Sequence, residues 1–480
     1  MTAELLESVL RDLPRYGRIV KDYPYRKVWR VQVGEEAFYL KFYPHAPNRW
    51  RKLVRGSSAM REFTRLQWLQ KAQIPACRAQ SVLMGLSING QRGDAVIIEA
   101  IEPAESIHEI MLKHHLAGTP VPNHRSLVIQ VIDIVQKLGR AELGHSDLHL
   151  GNFLVRDGKV FLIDAYPIHR GGVHMRDVLS LANSAQGSAT RADLQRGWNI
   201  LGPGGRMPGR NTLGRRVYRK LMSKIYGGNR WFESVASGGW RGVCFKQFPS
   251  PRRWSRASQQ TLDRHGWEHA CSELLVKIES GQLKVLKSGG SGEVLDGQIV
   301  VGGRPMEVVV KRPRRRYWYR YLNEIGRGSR ARRAWWKSWR LIYRGIPCAW
   351  PLLLLERRSL GYVTDALIVF EKIRGPSLAT IHLDELTGEQ RCTLFHRVGA
   401  ILRRMEAVRL YHWDAKSTNW MVQLDDSTGP MPLLVDVDGV RNNWGTGEGL
   451  RRLRESLKLH KQYSADDEAA LLRGYRPFRR

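Results

Sequence analysis

The chain has 480 residues, 42% of them apolar and 26% charged, and its 78 Lys or Arg against 45 Asp or Glu give a formal net charge of +33. This composition excludes an intrinsically disordered chain, and the length suits two or three domains. Five scattered cysteines, Cys77, Cys244, Cys271, Cys348 and Cys392, form no CxxC pair; the scatter and the odd count argue against a disulfide framework or zinc centre and fit a reducing cytosol.

The basic excess calls for an anionic partner: nucleic acid, an anionic membrane leaflet or a phosphorylated substrate. The N-terminal MTAELLESVLRDLPRYG carries apolar residues at helical spacing with acids between them, so it reads as no secretory signal. No later run reaches bilayer-spanning length, and the expectation is a soluble or peripheral protein. The strand AFYLKFY then places Lys41 in an aromatic-rich run. AMREFTRLQWLQKAQIP, from Ala59 to Pro75, reads as a helix stopped by proline, with Glu62 placed to pair with Lys41. VIIEAI ends a strand at Glu99, and a helix with Leu127, Val131, Ile134 and Leu138 on one face leads into the next stretch.

That stretch, HSDLHLGNFLVRDGKVFLID from His145 to Asp164, carries the chemistry. Asp147, Asn152 and Asp164 form a set suited to a nucleoside triphosphate: Asp147 accepts the proton of an attacking hydroxyl, and Asn152 and Asp164 hold Mg2+, which offsets charge on the transferring phosphoryl group. Strand lysine, helix glutamate, a glutamate at the adenine hinge (Glu99) and the Asp–Asn loop follow the order of the protein-kinase signature. His149, two residues after Asp147, is placed to steady the γ-phosphate, and His145 to brace the loop. For any one loop of His, Asp and Asn, turn formation is the competing explanation.

Recurrence defeats that explanation. After the Gly/Pro-rich LGPGGRMPGRNTLG, from Leu201 to Gly214, the plan returns. MEVVVKRP supplies Lys311, and ARRAWWKSWRLIYRGIP, from Ala331 to Pro347, overlays the first helix without a gap. Glu371 follows Pro347 by the same distance at which Glu99 follows Pro75. A helix with Leu394, Val398, Ile401 and Met405 on one face leads to HWDAKSTNWMV, with Asp414, Lys416 and Asn419, and PLLVDVDGV supplies Asp436. ADLQRGW near Ala192 and ALLRGYR near Ala470 look like the same last helix. The fold class is therefore α+β: two tandem protein-kinase-like domains, 1–205 and 265–480, each with a strand-rich N-lobe and a short helical C-lobe. Residues 206–264 read as a basic linker containing Gly, Pro and Trp, assigned to neither copy.

The copies differ in two places. KSGGSGEV offers Gly289, Gly290 and Gly292, whose N–H groups can approach phosphate closely, whereas KDYPYRKV in the first copy has Lys21, Arg26 and Lys27 but no glycine at the tip. Ala334 stands where the first copy has Glu62. Either Lys311 has another acid, with Glu324 a candidate, or the second copy binds nucleotide without turning it over. Residues 311–344 hold thirteen Lys or Arg, one acid and eight Trp or Tyr. This mixture suits an anionic headgroup or phosphorylated saccharide, with Trp335, Trp339 and Ile342 as core being the plainer reading.

On VVVKRP, GSRARRAWWKSWRLIYRGIP, FEKIRGPSL and HWDAKSTNWMV in one copy, and REFTRLQWLQKAQIP and HSDLHLGNFLVRDGKVFLIDAY in the other, the chain resembles the lipopolysaccharide core kinase family. The likeness covers most of 15–200 and 275–480. It implies ATP- and Mg2+-dependent transfer to a sugar hydroxyl of a Kdo- or heptose-bearing glycolipid, peripherally at the cytoplasmic face of the inner membrane. A kinase of protein or small molecules and a nucleotide-binding pseudokinase scaffold stay open as alternatives. No A-P-E segment occurs in either copy, which disfavours a conventional protein kinase. No dedicated nucleic-acid motif occurs either, so nucleic acid is not the expected partner.

Overall fold

The computed structural model describes residues 12–23, 25–45, 56–88, 90–202, 221–229, 231–246, 264–290, 292–313, 328–424, 429–442 and 447–476. The chain divides into two compact units, the first built mainly from residues before Gly209 and the second mainly from those after it.

In the first unit, β1 (Gly17–Tyr23), β2 (Arg26–Val33), β3 (Glu36–Pro44), β4 (Ala79–Ile88) and β5 (Gln91–Glu99) form one antiparallel sheet in the order β1-β2-β3-β5-β4. Period-two alternation fixes the faces of β3: Phe38, Leu40 and Phe42 are buried in one core cluster, which turns Lys41 to the opposite face. Between β3 and β4 runs α1 (Ser58–Lys71), started by the Ser57 hydroxyl accepting from Met60 N–H and burying Ala59, Glu62, Leu66 and Leu69. The helical half contains α2 (His124–Arg140), whose Leu127, Val131, Ile134 and Leu138 are all buried, as their spacing predicts. Short pairs follow: β6 (Leu143–His145) with β9 (Ile168–Arg170), and β7 (Phe153–Arg156) with β8 (Lys159–Leu162). Helices α3 (Met175–Ser184) and α4 (Arg191–Leu201) close the unit, the latter with a Thr190–Asp193 capping box.

The second unit repeats this order and adds to it. Its seven-stranded sheet contains β10 (Phe232–Ser237), β11 (Trp240–Phe245), β12 (Lys284–Gly289), β13 (Gly292–Val301), β14 (Arg304–Arg312), β15 (Pro351–Ser359) and β16 (Tyr362–Glu371). The strand order is β10-β11-β15-β16-β14-β13-β12, so β12 to β16 reproduce the first sheet and the β10–β11 hairpin extends its β15 edge. The segment 206–264, assigned to neither copy by sequence, thus contributes two strands to the second sheet. Its aromatic residues have a structural reason: Phe232 and Phe245 pack on Trp335, Trp339 and Trp350, with Phe245 and Trp339 centroids 4.7 Å apart. Trp335 and Trp339 are core residues of α6 (Arg330–Tyr343), as the plainer of the two readings has them. Residues 314–327, including RRRYWYRY and Glu324, lie outside the described residues.

After α5 (Arg264–Glu279), which lies against this sheet, and α6, the helical half consists of α7 (Gly388–Ala407), the pairs β17 (Leu410–His412) with β20 (Val440–Asn442) and β18 (Trp420–Gln423) with β19 (Met431–Leu434), then α8 (Glu448–Leu457) and α9 (Ala465–Tyr475). Leu394, Val398, Ile401 and Met405 of α7 are fully buried, as predicted. Among the described residues, no helix is long and apolar enough to cross a membrane.

Helices α7 and α9 meet through two glycines. A Cβ on Gly399 would sit 2.1 Å from Leu471 O, and one on Gly474 would sit 2.0 Å from His396 O. Backbone cannot yield as a flexible side chain does, so Gly399→Ala is expected to destabilise the second unit by about 1–3 kcal/mol through overpacking. A thermal melt should show its transition shifted down by several degrees while the first unit's is unmoved.

Candidate active site

Lys41 sits mid-strand, paired across the sheet with Val28 and Val96. Its Nζ lies 2.5 Å from Glu62 Oε1 on α1. Glu62 has no exposed surface, and its other oxygen accepts a hydrogen bond from the Tyr43 hydroxyl. Burial works against charge on Lys41, but Glu62 and Asp164 outweigh it and hold the ammonium's pKa above its ordinary value. Arg26, at the start of β2, lies within the fields of Tyr43, Asp164 and Glu62, which overcome its own burial and raise its pKa. The hairpin without a glycine tip therefore brings a guanidinium to this cluster.

Asp164 follows β8 in the left-handed backbone region at φ +62°. Its carbonyl lies 3.2 Å from His145 Nε2, and Asp147 N–H donates to His145 Nδ1 at 3.3 Å, which assigns the proton to Nε2. Asn152 Nδ2 donates to Asp147 O at 2.9 Å, leaving its own oxygen for another partner. His149 accepts from Gly151 N–H at 3.1 Å through Nδ1, and its Nε2 is 3.7 Å from Asp147 Oδ2. Glu99 ends β5 with its N–H bonded to Arg78 O; Cys77 beside it feels Lys41 and Glu99 together, and burial pushes its thiol up to about 11.

The second unit repeats the loop and changes the lysine. His412 Nε2 lies 2.5 Å from Asp436 O, and Asn419 Nδ2 donates to Asp414 O at 2.8 Å. Lys416 Nζ is 3.3 Å from Asp414 Oδ2, and Arg452 on α8 is 3.5 Å from Asp414 Oδ1. With Ala334 buried at the Glu62 position, Lys311 Nζ donates to Val435 O at 2.9 Å and lies 3.5 Å from Asp436 Oδ1. Burial tends to raise the Asp436 pKa, but Lys311, the Asp438 N–H and His412 together bring it below the ordinary value. Gly289 and Gly292 face each other at the β12–β13 turn, with Gly292 at φ +138° and Val294 paired to Lys311; a Cβ at Gly289 or Gly290 would meet nothing. Glu371 ends β16 and its carboxylate accepts from Trp350 N–H at 2.9 Å, away from Lys311.

Each structure thus brings lysine, loop aspartate, asparagine and terminal aspartate to one neighbourhood, while Glu99 and Glu371 stand at strand ends. The pattern reading overlooked a second layer. In the first unit Arg65 donates to Tyr166 O, Arg61 lies 3.3 Å from the Tyr166 hydroxyl, and Tyr43 stacks on Tyr166 with centroids 6.4 Å apart. In the second, Lys337 donates to Asp438 O at 2.6 Å and Arg330 pairs with Asp438 at 2.8 Å. Burial lowers Lys337 to about 8. The gapless overlay already aligned Arg65 with Lys337; their shared charge was the available signal.

The family model described as the lipopolysaccharide kinase (Kdo/WaaP) family matches residues 26–177 and 319–475. A solved structure titled "WaaP in complex with acyl carrier protein" is 18% identical, covering 45% of this chain and 91% of that chain, with a TM-score of 0.33. No curated protein matches.

His145 and His412 have no exposed surface, and burial lowers the pKa of both. A depressed histidine pKa contributes stability that is present above the unfolded value, about 6.5, and is lost as pH falls toward the folded pKa. Histidine-labelled NMR is expected to show both rings neutral at a pH where exposed histidines have become cationic. A ring that titrates with the exposed set would contradict the buried hydrogen-bonded placement.

Proposed function

The chain belongs to the lipopolysaccharide kinase (Kdo/WaaP) family, and on that premise we propose that it transfers the γ-phosphoryl group of ATP, with Mg2+, to a sugar hydroxyl of lipopolysaccharide core or a related glycolipid. The hydroxyl oxygen attacks phosphorus, the bond from the γ-phosphorus to the bridging oxygen breaks, ADP leaves with that electron pair, and the hydroxyl proton passes to Asp147. Lys41 and Arg26 bind phosphate oxygens, and His149 adds a donor near Asp147. Asn152 and Asp164 offer oxygen donors of the kind a hard divalent cation takes, since the Asn152 amide N–H is already used on Asp147 O. When bound, Mg2+ neutralises phosphate charge. Peripheral placement at the cytoplasmic membrane face follows from the acceptor and from the basic charge.

The observation that supports the first copy as the transferring one is the Lys41–Glu62 pair at 2.5 Å, an arrangement that points the lysine at the nucleotide phosphates. The second copy favours a different role. Its lysine is engaged on the would-be metal ligand Asp436, and both carboxylate oxygens of its base Asp414 face cations, Lys416 and Arg452. We assign it nucleotide binding with little or no turnover.

Labelled ATP supplied with a lipid extract, a protein extract and a sugar mixture is expected to label glycolipid; label confined to protein would overturn the reading. Asp147→Asn is expected to lower kcat about a hundredfold or more with nucleotide affinity retained, and Asp414→Asn to lower it far less. Equal losses in the two variants would remove the division between copies.

A further inference from the structure

One turn of the second sheet carries a residue that its backbone disfavours. Ser359 pairs with Tyr362 across two residues, and Leu360 and Gly361 have φ +51° and +82°, the left-handed pair of a type I′ turn. The first position of such a turn favours Asn, Asp or Gly, because a Cβ there crowds the following carbonyl. The equivalent connection in the first unit, where Ile88 pairs with Gln91, has the sequence Asn89-Gly90. The neighbouring turn, where Ser237 pairs with Trp240, has Gly238-Gly239. Leu360 is also 94% exposed, more than any other large hydrophobic among the described residues. Backbone preference and hydration therefore both oppose leucine at this position.

The surroundings are cationic. Trp240 pairs with Arg357, so the β10–β11 and β15–β16 turns lie at the same end of the sheet. Arg241, Arg357 and Arg358 are exposed there, and Tyr362 is half exposed. The acids at that end are engaged: Glu356 is buried against Ser329 and Arg358, and Asp365 is paired with Arg312.

We propose that the β15–β16 tip docks on an anionic lipid bilayer, with Leu360 entering the acyl boundary, Tyr362 at headgroup level, and Arg241, Arg357 and Arg358 on lipid phosphates. One leucine and three arginines make a reversible contact, far short of an anchor. Such a contact rests on the peripheral placement proposed above.

The full chain is tested by sedimentation with phosphatidylglycerol-containing vesicles and with phosphatidylcholine vesicles. Binding is expected only to the anionic vesicles and is expected to weaken with salt. Leu360→Asn supplies the residue the turn prefers, so its Tm is expected to hold or rise while vesicle affinity drops about five- to tenfold. Arg357→Gln is expected to weaken anionic binding without changing Tm. Unchanged vesicle affinity in Leu360→Asn, or equal binding of the unaltered chain to both vesicle types, overturns the proposal. So does a protein partner lost in Leu360→Asn while vesicle binding persists.

Discussion

A carboxylate with no exposed surface must be matched by a cation or by donors, and Glu62 has both, in Lys41 and Tyr43. The first unit's cleft depends on that requirement. Lys41 and Tyr43 are strand residues and Glu62 is a helix residue, so the charge match fixes where α1 lies on the sheet. Tyr43 also stacks on Tyr166, two residues beyond Asp164. One contact chain therefore runs from helix through sheet to the segment bearing Asp164. Removing Lys41 leaves the Glu62 carboxylate buried with only the Tyr43 hydroxyl for a partner, and breaking a buried pair in this way costs about 3–5 kcal/mol. In the second unit alanine at the same helix position removes the requirement. Lys311 still needs acceptors and takes Val435 O and Asp436. A single difference on the helix thus reassigns the lysine: Asp164 stands beside a lysine paired with Glu62, whereas Asp436 is itself contacted by Lys311.

The two units agree in the main-chain contacts that brace the Asp–Asn loop and the segment after it. His145 and His412 both hold the carbonyl of the terminal aspartate, and Asn152 and Asn419 both hold the carbonyl of the loop aspartate. Carbonyl acceptors survive changes in neighbouring side chains, so these brackets persist although the lysines and glycine tips have diverged. Arg65 and Lys337 belong to the same class, each reaching a carbonyl two residues past the aspartate. They tie the helix directly to that segment in both units, with or without the Glu62 ion pair.

Much of this was readable from spacing. Strand-like runs, AFYLKFY and MEVVVKRP, placed Lys41 and Lys311 on strands, and three- and four-residue intervals placed Leu127 to Leu138 and Leu394 to Met405 on single helix faces. The duplicated order of Lys, helix, strand end and Asp–Asn loop indicated a repeated α+β plan. What escaped were contacts whose partners are backbone atoms or lie in different elements, such as Tyr43 with Tyr166 or Arg452 with Asp414. No local pattern encodes a carbonyl acceptor, and Arg452, one of three arginines on α8, looks like any solvated helix residue. The β10–β11 hairpin escaped for another reason. It is short, flanked by basic stretches, and acquires its strand character from the edge of β15, a tertiary cause.

The tryptophan-rich helix α6 shows how a basic surface and a buried core coexist in one segment. Trp335 and Trp339 face Phe232, Phe245 and Trp350 inside, while Arg330 and Lys337 on the same helix reach Asp438. Part of the positive charge is therefore spent on the protein's own acids. That use has a ceiling, since each pairing engages at least one of 45 acids against 78 Lys and Arg. The excess of +33 survives any internal arrangement in which cations and acids pair one for one. It must meet water, salt or an external anion, and its long-range field falls off over a Debye length of about 8 Å at physiological ionic strength. Attraction to an anionic surface is thus a property of the whole composition, whereas the orientation in which the chain arrives depends on where exposed arginines stand beside exposed apolar groups.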